Sequence, residues 1–454
     1  EISTRDWSSD VCSSDLGCYI MRYILFQILF LSISVNMIFA EENLTLDEAI
    51  KIGLKNNYSI NIQKLNVKKS ENSMSIATSG FLPSLDLSGR QNNTNNNVKQ
   101  SFYDGREIER NGATSNLLEA SIIAGWTIFD GFGMFIDYDL LKLNDNIAKL
   151  NLKKNIESLV QNIIVGYSEL VVNKEAIKLN SDNLQISRYR YKIINDKKEA
   201  GKASGMDLLN AELDLNKDIN DSIEINNNYL RAKSDFNQLI GRDSRTDFNP
   251  ADSISLLNDF ENYDLLINQL ENNTELKLSN LGIEITQKDI EKLKANYYPQ
   301  INLFGGYSYS SLESQSGLLK SNVTNGLNYG ITLSMNLFEG LKTNTLIENN
   351  KIDLEINKLS KEELTSFLKK ELNNAVLNIN KSKQVIKFNE ENYTLTQKNL
   401  EIAREKLLTG TITQLEFREA QIKSIQSFNI ILSEKLNQKR NETYPLKILG
   451  RLAN

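Results

Sequence analysis

The chain has 454 residues, 24% of them charged and 40% hydrophobic, with a formal net charge of −6 and no histidine. That balance excludes a disordered acidic chain, and no basic stripe is present to suit nucleic acid. With no histidine the usual general base and metal ligand are missing, so neither enzyme chemistry nor a cofactor or metal is expected.

Met21 opens MRYILFQILFLSISVNMIFA, and nothing in residues 1–20 suits a segment placed before it. One arginine, an apolar run and the small Ala40 ahead of Glu41-Glu42 form the layout of a secretory signal peptide over 21–40. Residues 1–20 are therefore read as a non-native leader. Both cysteines, Cys12 and Cys18, fall in it, so the chain beyond Ala40 has no disulfide or thiol chemistry. Removing residues 1–40 takes away four acids and two bases, which moves the net charge from −6 to −4. No later stretch holds 18 consecutive apolar residues, so no membrane-spanning helix is expected there.

LTLDEAI at 44–50 opens a helical region that Pro83 ends, since proline's fixed φ and missing N–H suit the start of a strand. In SIIAGWTIF (121–129), Ile122, Ala124, Trp126 and Ile128 share one face of a second strand. Gly131-Phe132-Gly133 is placed to turn that strand into a helix. From Asp137 to Ala200 no proline occurs and only Gly166 interrupts. Gly201, Lys202 and Gly205 then form a turn before a returning helix, and residues 242–262, with Pro250, read as a linker.

The same order then recurs. Pro299 opens a strand in which Ile301, Leu303, Tyr307 and Tyr309 oppose Asn302, Ser308 and Ser310. In LNYGITLSMNLF (327–338) the apolar and polar residues alternate again, and Gly340 ends the strand. Leu341 to Thr409 contains neither proline nor glycine, and Gly410, Thr411 and Ile412 form the second turn. At 1.5 Å per residue each long helix reaches roughly 100 Å. Apolar residues recur along both at three- and four-residue steps, the narrow stripe of a coiled coil, so these helices must pack side by side in water.

The recurrence is a duplication. Asn56-Asn57 and FLPSLDLSG (81–89) return 216 positions later as Asn272-Asn273 and YYPQINLFG (297–305). TIFDG (127–131), Gly201, Asp207, Ala211 and IGR (240–242) return 209 positions later as NLFEG (336–340), Gly410, Glu416, Ala420 and LGR (449–451). The first structural repeat is therefore 41–241 and the second 263–454. Each has two strands of about ten residues with an apolar and a polar face, as in a half-buried sheet or a transmembrane barrel.

The duplicated strand–strand–long helix unit, LTLDEAI, the proline-led strands, the FDG and FEG strand ends and the glycine turns resemble the TolC family of outer-membrane efflux proteins. The resemblance implies an α+β membrane protein, a homotrimer with four strands per chain in a shared 12-stranded β-barrel, continued by a periplasmic α-helical barrel. Four strands alone cannot close a barrel, for which about eight is the minimum, so other copies must pair the open edges. The resemblance also implies that loops at 91–119, with the Asn-rich QNNTNNNVKQ, and 311–326 face outward. Residues 242–262 and 441–454 would form a belt around the helices.

The implied function is an exit duct in a Gram-negative outer membrane, serving a tripartite efflux pump or type I secretion system with a periplasmic adaptor and an inner-membrane transporter. A stand-alone porin or adhesin and a periplasmic coiled-coil scaffold are the alternatives. By the same resemblance the two turns are adaptor-docking tips, and Glu416, Glu419 and Asp207 line the periplasmic entrance. Three copies of Glu416 and Glu419 around one opening would repel one another, raise some of their pKa values and attract cations. In the family a tyrosine and an arginine flank the second turn and fasten it. Here those positions hold Leu407 and Ile412, leaving Arg404 or Arg418 as replacements.

Overall fold

Described in the computed structural model are residues 42–256, 263–316 and 319–453, so the expected leader and signal peptide lie outside the described residues. A short strand, β1 (Glu42–Leu44), precedes the first copy, which runs α1 (Leu46–Asn56), α2 (Tyr58–Ser73), β2 (Ser84–Ser101), β3 (Glu107–Asp130), α3 (Gly133–Glu199) and α4 (Gly205–Ile240). After β4 (Phe248–Pro250), the second copy runs α5 (Tyr263–Ile267), α6 (Thr274–Ala295), β5 (Gln300–Ser314), β6 (Ser321–Ser334), α7 (Lys342–Thr409) and α8 (Gln414–Ile448).

The duplication is visible in single hydrogen bonds. Asn57 caps α2 by accepting from the Ile60 N–H, and Asn273 caps α6 by accepting from the Leu276 N–H. Their amides donate to the carbonyls of Leu239 (2.9 Å) and Ile448 (2.7 Å), which are themselves 209 positions apart. The apolar cores repeat as well. Ile60, Ile163 and Ile240 are buried in one cluster, and their counterparts Leu276, Leu372 and Leu449 in another. Burial of such side chains, each contributing roughly 1.5–3 kcal/mol, holds every long helix to its short neighbours.

One antiparallel sheet carries all four long strands in the order β2-β3-β5-β6, leaving β2 and β6 as edges. The register puts Leu87, Ile122, Tyr307 and Leu327 in one row and Leu85, Ala124, Gly305 and Tyr329 in the next. Together with Trp126, Leu303 and Ile331 these give a continuous apolar face, exposed in the single chain. The opposite face is mostly polar, with Ile123 and Phe304 among the exceptions, and internally bonded, Ser88 to Ser121 (2.8 Å), Thr127 to Asn302 (2.8 Å) and Asn328 to Ser308 (2.9 Å).

Four features differ from the sequence reading. The strands are longer than ten residues, at 18, 24, 15 and 14. Residues 91–119 are accordingly almost all strand, with β2 and β3 joined by a short turn at 102–106, and most of 311–326 belongs to β5 and β6. Asparagines pair across this ladder as readily as other residues because the ladder uses backbone groups only. Ile128 sits in a bulge, so Phe129 rather than Ile128 opposes Ile301. Finally, residues 441–448 are not a separate segment but continue α8, with Pro445 inside its last turn.

From the linker, only 242–256 are described, and part of them pairs β4 in parallel with β1. Pro83 and Pro299 stand just before β2 and β5. Gly131 and Gly340 both adopt positive φ (73° and 62°) just before a long helix; Gly131 directly follows β3, whereas β6 already ends at Ser334, short of the expected 338, and Gly340 closes a loop. The bulky residues that follow them, Phe132 and Leu341, adopt positive φ too. A Cβ on Gly131 would also lie 2.4 Å from the Ala295 carbonyl oxygen.

Candidate functional site

The two long hairpins, α3–α4 and α7–α8, end side by side, and their tips are built alike. α3 closes with the Lys202 N–H on the Lys197 carbonyl and the Gly201 N–H on that of Lys198. α7 closes with the Thr411 N–H on Lys406 and the Gly410 N–H on Leu407. Gly201 (φ 73°) and Gly410 (φ 80°) take the left-handed position such a closure requires. Gly205 then begins α4, and Ser204 and Thr413 are the N-caps of α4 and α8.

Asp207 and Glu416 complete those caps. Each carboxylate accepts from the backbone N–H and hydroxyl of its cap residue, Ser204 or Thr413, while the cap hydroxyl accepts from the acid's own N–H. The bonds from Ser204 and Thr413 favour the charged form, so both carboxyls lie below their usual range. Within one chain this acts against the expected rise from mutual repulsion. Glu416 is exposed and ionised, Glu419 pairs with Lys423 (2.7 Å), and both face water.

Ile412 and Leu407 share an apolar cluster with Ile193, Ile194, Ala211 and Phe417, so the tips adhere by burial. The Leu407 carbonyl also accepts from the Lys197 ammonium, joining α7's last turn to α3's. Arg404 lies over the Tyr189 ring, 4.6 Å from its centre.

Arg418 does more than the sequence suggested. It grips Asp218 of α4 with both ends of its fork, at 2.8 and 2.7 Å, and is 6% exposed. Asp218 also accepts from the Ser187 hydroxyl of α3. Beside it, Arg190 of α3, fully buried, donates at 2.8 Å to Asp214, one turn from Asp218 on α4. Gln421 of α8 completes the group by donating to Asn183 and Ser187. Arg190 and both aspartates were missed. The available signal was an arginine set among Ile186, Ile193 and Ile194 on the apolar stripe of α3, where a charge requires a buried partner.

Among the described residues, no helix is long and apolar enough to cross a membrane, and no cluster of acidic or sulfur side chains could hold a metal.

No curated protein matches the chain. Solved structures do. A membrane protein from Pseudomonas aeruginosa superposes with a TM-score of 0.73 at 15% identity, covering 90% of this chain and 91% of that one. The CmeC outer membrane channel of Campylobacter jejuni gives 0.72 at 14% identity, with coverages of 89% and 85%. The open state of the MtrE outer membrane channel of Neisseria gonorrhoeae gives 0.70 at 17%, with 89% and 88%. At these identities the likeness shows the fold, a TolC-like one. The family model for outer membrane efflux proteins matches residues 49–242 and 265–450, most of the chain, and the chain belongs to the outer membrane efflux protein family.

Proposed function

We propose that the protein is the outer-membrane exit duct of a tripartite efflux pump or type I secretion system, acting as a homotrimer and passing cargo passively. The observation that carries this reading is the four-stranded sheet. One of its faces is continuously apolar, both edges are unpaired, and it runs directly into helices of roughly 100 Å. Three such sheets joined edge to edge make a closed 12-stranded barrel with lipid outside and a polar wall inside.

The helices support the same assembly. α2 leaves Tyr58, Ile62 and Leu65 exposed, and α7 leaves Ile352, Ile356 and Leu359, each set spaced by four and then three residues. These stripes lie on the two helices next to the sheet's open edges, so the α7 of one copy meets the α2 of the next. The far tips are then the periplasmic opening. Gly201, Lys202, Gly205, Gly410, Thr411 and Ile412 form the surface offered to a periplasmic adaptor, beyond which an inner-membrane transporter supplies energy. Glu416, Glu419 and Asp207 of three copies ring that opening.

The test is outer-membrane extraction followed by mass measurement and planar-bilayer recording. A detergent-stable trimer that conducts ions supports the duct, and a monomer released by salt wash overturns it.

A further inference from the structure

Buried charges are costly to separate, because a carboxylate or guanidinium left alone in the interior loses its hydration without replacement. If the tips close a duct, the two hairpins of a protomer must come apart there when it opens. Arg418 would then travel with α8 and abandon Asp218 on α4. Arg418 itself keeps a partner on its own helix, the Gln421 carbonyl oxygen at 3.1 Å. The question is what happens to Asp218.

Arg190 answers it. Its guanidinium is fully buried, yet only its Nη2 is engaged, on Asp214, while its Nε and Nη1 have no hydrogen-bond partner among the described residues. Unused donors at such depth are rare and destabilise the arrangement that leaves them so. Arg190 belongs to α3, and Asp214 and Asp218 to α4, all within one hairpin. The aspartates, at i and i+4, share a helix face. Asp218 already bonds Ser187, one turn from Arg190 on α3, and its charge acts on the Arg190 guanidinium. In the arrangement seen, Arg418 occupies the fork position on Asp218, and its own charge opposes that of Arg190.

We propose that Arg190 is a stand-in partner for Asp218: when the hairpins part, its idle donors take the carboxylate that Arg418 releases. The exchange leaves neither aspartate of the α3–α4 hairpin without a guanidinium partner when α8 moves away. It therefore lowers the cost of parting, and the idle donors of Arg190 are what the closed arrangement bears for it. The inference rests on the exit-duct reading, since it assumes that the tips part.

The chain beyond residue 40 has no cysteine, so Lys202→Cys and Thr411→Cys place spin labels on the two tips of the protein, expressed from residue 41 behind a cleavable signal, without competing sites. Pulsed electron resonance reads the tip separation, and bilayer recording reads the open fraction. Arg418→Gln removes the grip between hairpins and is expected to increase the parted population severalfold. Arg190→Gln removes the stand-in and, within the α3–α4 hairpin, the Asp214 bond, but it leaves the Arg418–Asp218 grip between hairpins, with Arg418 Nε 3.8 Å from Asp214. It is expected to decrease the parted population severalfold.

Opposite signs support the exchange. Increases in both variants, or no effect from Arg190→Gln, overturn it and make the cluster a static brace. Should Arg190→Gln fail to assemble, Arg190→Lys is read instead. It keeps the charge but cannot make a two-pronged grip, and it too must lower the parted population. Opposite shifts in tip separation without any conductance, wild type included, would sink the duct and leave the exchange standing.

Discussion

Phe132 and Leu341, 209 positions apart, hold the same left-handed backbone at the same place, one residue past a left-handed glycine and one before a long helix. Each pays a steric penalty that glycine would not, on the order of 1–2 kcal/mol. Phe132 recovers part of it through edge-on contacts with Phe129 (5.2 Å) and Tyr298 (6.3 Å). Leu341 is 63% exposed in the single chain.

Leu341→Gly is therefore expected to stabilise the protein by up to about 1 kcal/mol, and Leu341→Val to destabilise it by about 1–2 kcal/mol. Phe132→Gly gains the same relief but loses the ring contacts, and ends near neutral or below. Thermal unfolding in detergent at matched protein concentration reads all three.

The paired asparagines give a second expectation. Asn57→Ala and Asn273→Ala each remove a helix cap and orphan a carbonyl, of Leu239 or Ile448, for a cost of about 2 kcal/mol. The Asn273 change is expected to be the worse, because that side chain is 4% exposed. Denaturant midpoints of the two variants check the order.

Glu157 provides a pH dependence. It is buried on α3, where its carboxylate accepts from the Thr274 hydroxyl, and burial raises its pKa above the usual range. The unfolded chain thus loses this proton at lower pH than the folded one, so the group favours folding less and less as pH rises between the two values. Glu157→Gln keeps an acceptor for Thr274 without the charge. Its melting temperature is expected to exceed the wild type's at pH 8 and to converge with it near pH 4.

At the tips, three copies of Glu416 and Glu419 should make conduction cation-selective and sensitive to multivalent cations. Because the Thr413 bonds favour ionised Glu416, that selectivity is expected to persist to mildly acid pH. Glu416→Gln with Glu419→Gln should lower the cation-to-anion permeability ratio at least twofold and weaken the block. Unchanged reversal potentials and block would count against an acidic opening.

The plan of the chain was legible because duplication repeats every signal: two asparagine caps, two proline-led strands, two glycine turns. The tip acids were legible by position, but their roles as caps needed the Ser204 and Thr413 backbone angles. Strand ends were not legible. Backbone ladders run through Asn92–Asn96 regardless of side chain, so polarity there read as loop. The Arg190, Asp214, Asp218 and Arg418 cluster was hidden for another reason. Its members come from three helices, and two of its contacts, Arg418 to Asp218 and Gln421 to Ser187, span 200 and 234 positions.

The hairpin of β2 and β3 outruns its neighbours. β5 accompanies β3 only from Ser115 onward, whereas β3 itself begins at Glu107. About eight residues of two-stranded ribbon, roughly 25 Å, therefore stand clear of the sheet. Among the described residues, only the first repeat has it. In the exit-duct reading this ribbon, with Tyr103 bare at its turn, is the part of the molecule that stands farthest out from the cell. It is accordingly a place to attach a tag or dye without touching the rest of the sheet.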